Sequence, residues 1–377
     1  MLLKTGIIGI GNAGNMVAAE ANSSKEMPVI GLNTSERDLD AVKSRTAIQT
    51  YFIGNGDGAG KDRTKSKAAM KDHLKELIGD DEFKKFMDSI EVCFIVSSTG
   101  GGTGSGTAPM ICDVLSSIYQ NINFIMVGIL PTIGESVGAQ RNTVEYIAEV
   151  NRLNLPYMLF DNSEAGTEST NDVFDRINHD VVEAVSVIRG DYNLLSRYGM
   201  IDAGDMTKLI TLPGMIHMNL LQGIYQEKIP TDGSIEDLII ESLKKNTMVQ
   251  LDRDKIVKRR GYIVNLTEDL QPYFNKDFPK ITELYGEPVE VFDHYAVNQD
   301  DEKANFVILI QSGLSLPENR LKKIQHRIQA AEEALKKQKE SSILDSLSES
   351  VSQFDGTKDV NRVKRESVNL DDILGKY

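Results

Sequence analysis

Residues 100–106 read Gly-Gly-Gly-Thr-Gly-Ser-Gly, set between an apolar run (Val92, Phe94, Ile95, Val96) and an amphipathic stretch (Met110, Ile111, Val114, Leu115, Ile118). The order is strand, glycine loop, helix. Gly100, Gly101, Gly102, Gly104 and Gly106 leave the backbone N–H groups unshielded, and the hydroxyls of Thr103 and Ser105 fall beside the first turn of the helix. Orphan amides at a helix N-terminus and the helix dipole both favour an anion, so such a loop wraps phosphate. A flexible linker is the alternative, but linkers are rarely pinned between a buried strand and a helix with Pro109 near its start. The Walker pattern is absent: Gly60-Lys61 is followed by Asp62, and Asn55 stands where that motif needs its first glycine.

Bulk properties narrow the class. With 377 residues, 40% of them hydrophobic, the chain can bury a large core, and its length predicts two domains or one with an extension. No cationic leader precedes the first strand and no apolar run approaches the ~18 residues of a membrane span, so a cytoplasmic protein without a membrane partner is expected. Cys93 and Cys112 read as core thiols, and the five histidines show no ligand spacing, which leaves any metal undefined. A formal charge of −14 argues against wrapping nucleic acid with the whole surface.

Short apolar strands alternate with amphipathic helices. Strands are expected at 5–10, 29–32, 92–96, 124–130 and 157–160, with a helix beginning near Met16, a short one around Leu39 and Val42, a charged helical region over 65–87 and a helix over 144–153. This alternation predicts a parallel sheet covered on both faces, with the glycine loops at its carboxyl edge, where open α/β folds bind ligands. Phe174, Ile177, Val181, Val185 and Ile188 recur at helical spacing and predict a long central helix over 171–195. Beyond it, alternating elements predict a smaller α+β unit, then a helix from Pro317 to about Ser341. The remaining residues, 342–377, read as a disordered tail with a short terminal recognition segment.

These residues resemble the tubulin/FtsZ superfamily of GTPases, whose signature is the loop found here at 100–106. The likeness implies GTP/GDP with Mg2+ as the ligand. In family order, Gly11, Asn12, Ala13 and Asn15 resemble the first phosphate loop, and Asn33 the loop after the second strand. Gly56, Asp57, Gly58, Ala59, Gly60 and Lys61 resemble the third. In the loop over 131–141, Glu135 matches the ribose-contacting acid and Arg141 lies near the family's basic residue. Asn162 and Asn178 are then guanine contacts, with Phe174 on the base face; Phe174 and Asn178 are four apart and share a helix face. The family's catalytic loop, Asn-x-Asp-x-x-Asp/Glu, is matched by residues 200–205, which keep Asp202 and Asp205 but put Met200 in place of the Asn. Taken alone, the two acids read as turn or N-cap residues. A central helix of this length spans about 30 Å at ~1.5 Å per residue, so these acids reach the nucleotide of a neighbouring subunit, coupling hydrolysis to head-to-tail assembly.

The resulting organisation is a parallel-sheet GTP-binding domain (1–170), a central helix (171–198), a smaller α+β domain with the catalytic loop (199–316), a C-terminal helix (317–341) and the tail. The chain is most similar to the plasmid and phage tubulins of the TubZ and PhuZ types, which implies a filament for DNA segregation or positioning. A DNA-bound adaptor is the implied tail partner in the first type. The C-terminal helix carries seven Lys/Arg, among them Arg320, which read as a solvated face. Two alternatives stay open: a non-hydrolysing scaffold polymer, which Met200 keeps open, and an NAD(P)-dependent Rossmann oxidoreductase, prompted by Gly9, Gly11 and Gly14. The second lacks an acid after the second strand to hold a ribose 2′-OH, where the chain has Asn33-Thr34-Ser35.

Overall fold

A computed structural model of the chain describes residues 3–54, 58–163, 169–192, 200–253, 257–299 and 304–340. The first half alternates β1 (Thr5–Ile10), α1 (Gly11–Lys25), β2 (Val29–Asn33), α2 (Glu36–Lys43) and β3 (Gln49–Phe52), then α3 (Arg63–Gly79), α4 (Asp81–Asp88), β4 (Val92–Ser98), α5 (Thr103–Ile118), β5 (Asn123–Leu130), α6 (Val137–Leu153) and β6 (Pro156–Asp161). There follow α7 (Thr170–Arg189), α8 (Ala203–Ile210), β7 (Gly214–Gln222), α9 (Ile235–Leu243), β8 (Arg259–Leu266), α10 (Pro279–Tyr285), β9 (Glu290–Val297), β10 (Phe306–Leu314) and α11 (Glu318–Glu340).

All ten strands join one sheet in the order β3-β2-β1-β4-β5-β6-β7-β10-β8-β9. Strands β3 to β7 are mutually parallel; β10 runs antiparallel between β7 and β8, and β8 pairs parallel with β9. β8 therefore points the same way as β1. Central strands such as β1 and β6 are buried at every position, as a sheet covered on both faces requires. On one face α1, α7 and α8 pack Val17, Ala18, Val181, Val185 and Leu209 against Phe94, Ile125 and Ile263. On the other, α3 to α6 pack Met70, Phe83, Ile111 and Tyr146 against Ile8, Ile95 and Met126. α9 and α10 cover the far strands around Tyr262 and Phe278. Residues up to Ile328 form one compact unit and those from Gln329 on a second. The expected tail lies outside the described residues.

Several boundaries differ from expectation for identifiable reasons. α1 begins at Gly11 instead of near Met16, because Gly14 must sit inside the helix where a Cβ would lie 2.1 Å from the Val96 carbonyl oxygen of β4. α5 begins at Thr103, which puts Pro109 in the helix interior instead of near its start. The charged stretch over 65–87 is two helices: Asp80 is extended, caps α4 through the Phe83 N–H at 2.9 Å and accepts from the Tyr51 hydroxyl at 2.5 Å. That hydroxyl comes from β3, an edge strand too short and too exposed to leave a pattern. α7 stops at Arg189 instead of 195, closed by Gly190 in the left-handed conformation at φ +94°.

Candidate functional site

The carboxyl ends of β1, β2, β3 and β5 bring four loops onto the glycine loop after β4 and the first turn of α5. The ideal Cβ of Gly11 would lie 3.1 Å from the Gly104 N–H nitrogen, so the first loop abuts the glycine heptapeptide. From the loop after β2, the Thr34 hydroxyl meets that of Thr103 at 2.6 Å. At Gly102 a Cβ would lie 2.8 Å from the Lys61 Cα and 2.9 Å from the Asp62 nitrogen, so only glycine lets the third loop close against it. Gly100 packs closely against Pro131 of the loop that leads into α6 and against Ala139 in the first turn of that helix.

Asn142 holds this cluster together. From α6 its amide nitrogen lies 3.0 Å from the Lys61 carbonyl, 3.2 Å from that of Gly100 and 3.0 Å from that of Gly101. Two N–H bonds shared among three carbonyls pull those oxygens toward α6. Arg63, buried at 5% exposure, braces the same elements from below. It donates to Glu145 at 2.7 Å and Glu149 at 2.8 Å on α6, and to the Ser105 carbonyl at 2.9 Å. Neither residue was singled out from sequence, where each is one polar residue among many in a charged helix.

The expected site residues divide into three groups. Gly11, Gly100, Gly101, Gly102, Thr103, Gly104, Ala59 and Lys61 come together at the α5 terminus, flanked by exposed Asn12, half-buried Ala13, and Gly58 and Gly60 of the third loop. Glu135 lies in the loop after β5, where its carboxylate accepts the Thr132 N–H at 3.1 Å. Gly56 and Asp57 lie outside the described residues. A second group is turned inward. Asn15 is fully buried and donates to the Leu32 carbonyl at 3.2 Å, Asn33 accepts the Ser35 N–H at 3.3 Å, and the Ser105 hydroxyl bonds the Gly101 carbonyl; Gly106 is buried against Ser66. Arg141 is exposed on α6 instead of in the loop expected to carry it, because α6 begins at Val137.

The third group lies on β6 and α7. Asn162 follows β6 at 8% exposure, its N–H bonded to the Leu130 carbonyl at 3.2 Å and its Oδ1 buried without a partner. A buried orphan acceptor costs on the order of 1–3 kcal/mol unless a ligand satisfies it. Phe174 is 45% exposed, so its ring is open to a stacking partner. Asn178, buried, lines a pocket of about 190 Å³ between α1 and α7 with Met16, Glu20, Arg45 and Asp175. Burial raises the Glu20 carboxyl above its ordinary range, partly offset by His179 at 3.5 Å. A larger cleft of about 560 Å³ between α7, β7 and α9 contains none of the expected residues.

Asp202 and Asp205 are elsewhere. Asp202 caps α8, its Oδ1 accepting the Asp205 N–H at 2.8 Å, while the Asp205 carboxylate is half-exposed 4.0 Å from Lys208. Arg259, the first residue of β8, donates to the Lys208 carbonyl. Because β8 is parallel to β1, α8 lies at the amino edge of the sheet, opposite the loops.

Residues 4–166 match the Tubulin/FtsZ family, GTPase domain. This region of the chain is a Tubulin/FtsZ-family GTPase domain. The tubulin-like protein TubZ of Clostridium botulinum C phage is 26% identical over 207 residues, 53% of this chain and 54% of that protein. The matched segment thus spans about half the length of such curated relatives. The solved structure of Clostridium botulinum phage c-st TubZ, truncated at its C-terminal tail, superposes with a TM-score of 0.69 at 22% identity, covering 88% of this chain and 98% of that one. A GTPγS-form protofilament of Bacillus thuringiensis serovar israelensis TubZ gives a TM-score of 0.69 at 14% identity, covering 91% and 94%. The fold is therefore TubZ-like over nearly the whole chain, and the glycine cluster occupies the family's GTPase domain. The NAD(P)-dependent alternative falls with it.

Proposed function

We propose that this chain binds GTP at the α5 terminus, polymerises head to tail and hydrolyses GTP at the interface between subunits. The observation that carries the reading is the convergence of four loops on Thr103, with Asn142 drawing the Lys61, Gly100 and Gly101 carbonyls aside. Carbonyls tied to α6 leave the loop N–H groups to an anion, and the α5 dipole adds to the attraction. Phe174, Asn178 and the unpartnered Asn162 Oδ1 supply a stacking face and polar edges for guanine. These residues fit a nucleoside triphosphate. Mg2+ bound with the nucleotide would neutralise charge on the phosphate oxygens.

Asp202 and Asp205 stand at the opposite edge, and α7 alone is about 30 Å long at ~1.5 Å per residue. Their role is to orient the water that attacks the γ-phosphate of the next subunit. The Asp202 capping bond fixes the turn and leaves the Asp205 carboxylate facing outward. The TubZ protofilament supports an open, head-to-tail assembly of this kind. We extend the reading, on the family resemblance of the sequence, to DNA segregation or positioning with a DNA-bound adaptor on the tail. No described helix is long and apolar enough to cross a membrane.

The deciding experiment is a competition titration of GTP, ATP and NAD, followed by phosphate release as a function of protein concentration. Strong GTP preference and activity per subunit that rises above a threshold concentration are expected. Equal affinity for GTP and ATP would overturn the guanine assignment.

A further inference from the structure

Arg320 was expected on a solvated helix face, but in the first turns of α11 it is 5% exposed. Its Nε and Nη2 both donate to the fully buried Asp161 carboxylate, Nη2 at 2.9 Å. The same Nη2 lies 2.7 Å from the Pro131 carbonyl and 3.4 Å from the Ser163 hydroxyl. Asp161 Oδ1 also accepts the Ser163 N–H at 2.9 Å, and Ser163 Oγ accepts the Ile133 N–H at 3.2 Å. One guanidinium therefore ties together the ends of β5 and β6 on both sides of Asn162. The helix start that carries it is itself fixed: Ile324 is fully buried, and the Asn319 N–H donates to the Asp252 carboxylate at 3.4 Å.

We propose that Arg320 is a positioning residue for the nucleotide base, holding the Asp161–Ser163 turn so that the Asn162 amide meets the purine edge. This rests on the reading of Asn162 as a guanine contact. A planar fork is needed because three acceptors on two loops must be met at once; an ammonium offers a point charge and cannot bridge them in the same geometry. The linkage borders the glycine loop at Pro131, which packs beside Gly100, while its other members hold the turn around Asn162, so base selection depends on it more than phosphate binding does. Loss of Arg320 blurs the choice of base and leaves phosphate affinity in place.

Arg320→Ala would strand a buried carboxylate and is a poor probe. Arg320→Lys keeps the charge. Affinities of full-length protein for GTP, ATP and inorganic tripolyphosphate are compared in wild type, Arg320→Lys and Ser163→Ala. The expected result is a GTP-to-ATP preference at least tenfold lower in Arg320→Lys and a few-fold lower in Ser163→Ala, with tripolyphosphate affinity within twofold of wild type. Retention of the wild-type preference by folded Arg320→Lys overturns the proposal; should that variant not fold, an unchanged preference in Ser163→Ala does so. Wild-type protein that does not distinguish GTP from ATP overturns the parent reading instead, and this one with it.

Discussion

The hydroxyls of Thr34 and Thr103 lie 2.6 Å apart and join the loop after β2 to the first turn of α5. Thr103 is the member that sits on the helix terminus, so its hydroxyl is the one able to turn to a phosphate. Thr103→Ala is expected to weaken GTP binding by roughly 1.5–3 kcal/mol, the cost of a hydrogen bond to a charged group, while the fold persists on backbone amides. Thr34→Ala removes only a neutral partner and should cost about 1 kcal/mol or less. Calorimetric titration of both variants checks the ranking; wild-type affinity in Thr103→Ala would show that the hydroxyl meets no phosphate.

Asn142 is the next test. Its amide bonds three carbonyls on two loops, so Asn142→Asp replaces donors with an anion facing the same oxygens. Asn142→Asp is expected to lower GTP affinity more than Asn142→Ala does, and both variants should unfold at lower urea than wild type. Equal affinities across the three proteins would mean that the loops hold their shape without α6.

Gly102→Ala probes the closure of the third loop. The new methyl would fall within 2.9 Å of Lys61, Ala59 and Asp62 atoms, two of them backbone, so the loop must move. An overpacking penalty of roughly 1–3 kcal/mol in stability is expected, with a larger loss of GTP affinity than in Thr34→Ala. Chemical denaturation together with nucleotide titration reads both.

His217 gives a pH test. It is 1% exposed, both ring nitrogens lack partners, and burial drives its pKa down from 6.5 to about 3. The folded state keeps the ring neutral while the unfolded chain takes up a proton. Its contribution is thus complete above 6.5 and is lost as pH falls toward 3. Between pH 7 and pH 5 the loss is roughly 2 kcal/mol. Urea unfolding at the two pH values should show this component in wild type and not in His217→Leu.

Asp205→Ala tests the shared site. Filaments should still form with GTP, persist longer and release little phosphate, whereas wild-type activity rises steeply with concentration. A fully active Asp205→Ala protein, or activity independent of concentration, would place the chemistry within one subunit.

The α/β architecture was legible in the residues because buried parallel strands and amphipathic helices leave opposite periodicities. Val92 to Val96 and Phe174 to Ile188 carry theirs plainly. The glycine heptapeptide was equally readable, and at Gly102 and Gly106 a Cβ would meet neighbouring backbone within 3.0 Å. What stayed invisible depends on partners far along the chain. Asn142 meets carbonyls 81, 42 and 41 residues away, and Arg320 meets Asp161 across 159. Local pattern records the face on which a side chain lies, not what the opposite element presents to it. Arg320 therefore read as one more surface cation, and the bond that Asn15 donates to the Leu32 carbonyl of β2 left no local trace. The separation of Asp205 from the glycine loops was expected from the family's catalytic-loop pattern together with the length of the central helix. Its placement at the amino edge was decided only when Arg259 of β8 met the Lys208 carbonyl, because strand direction in the completed sheet, not sequence order, determines which edge a loop occupies.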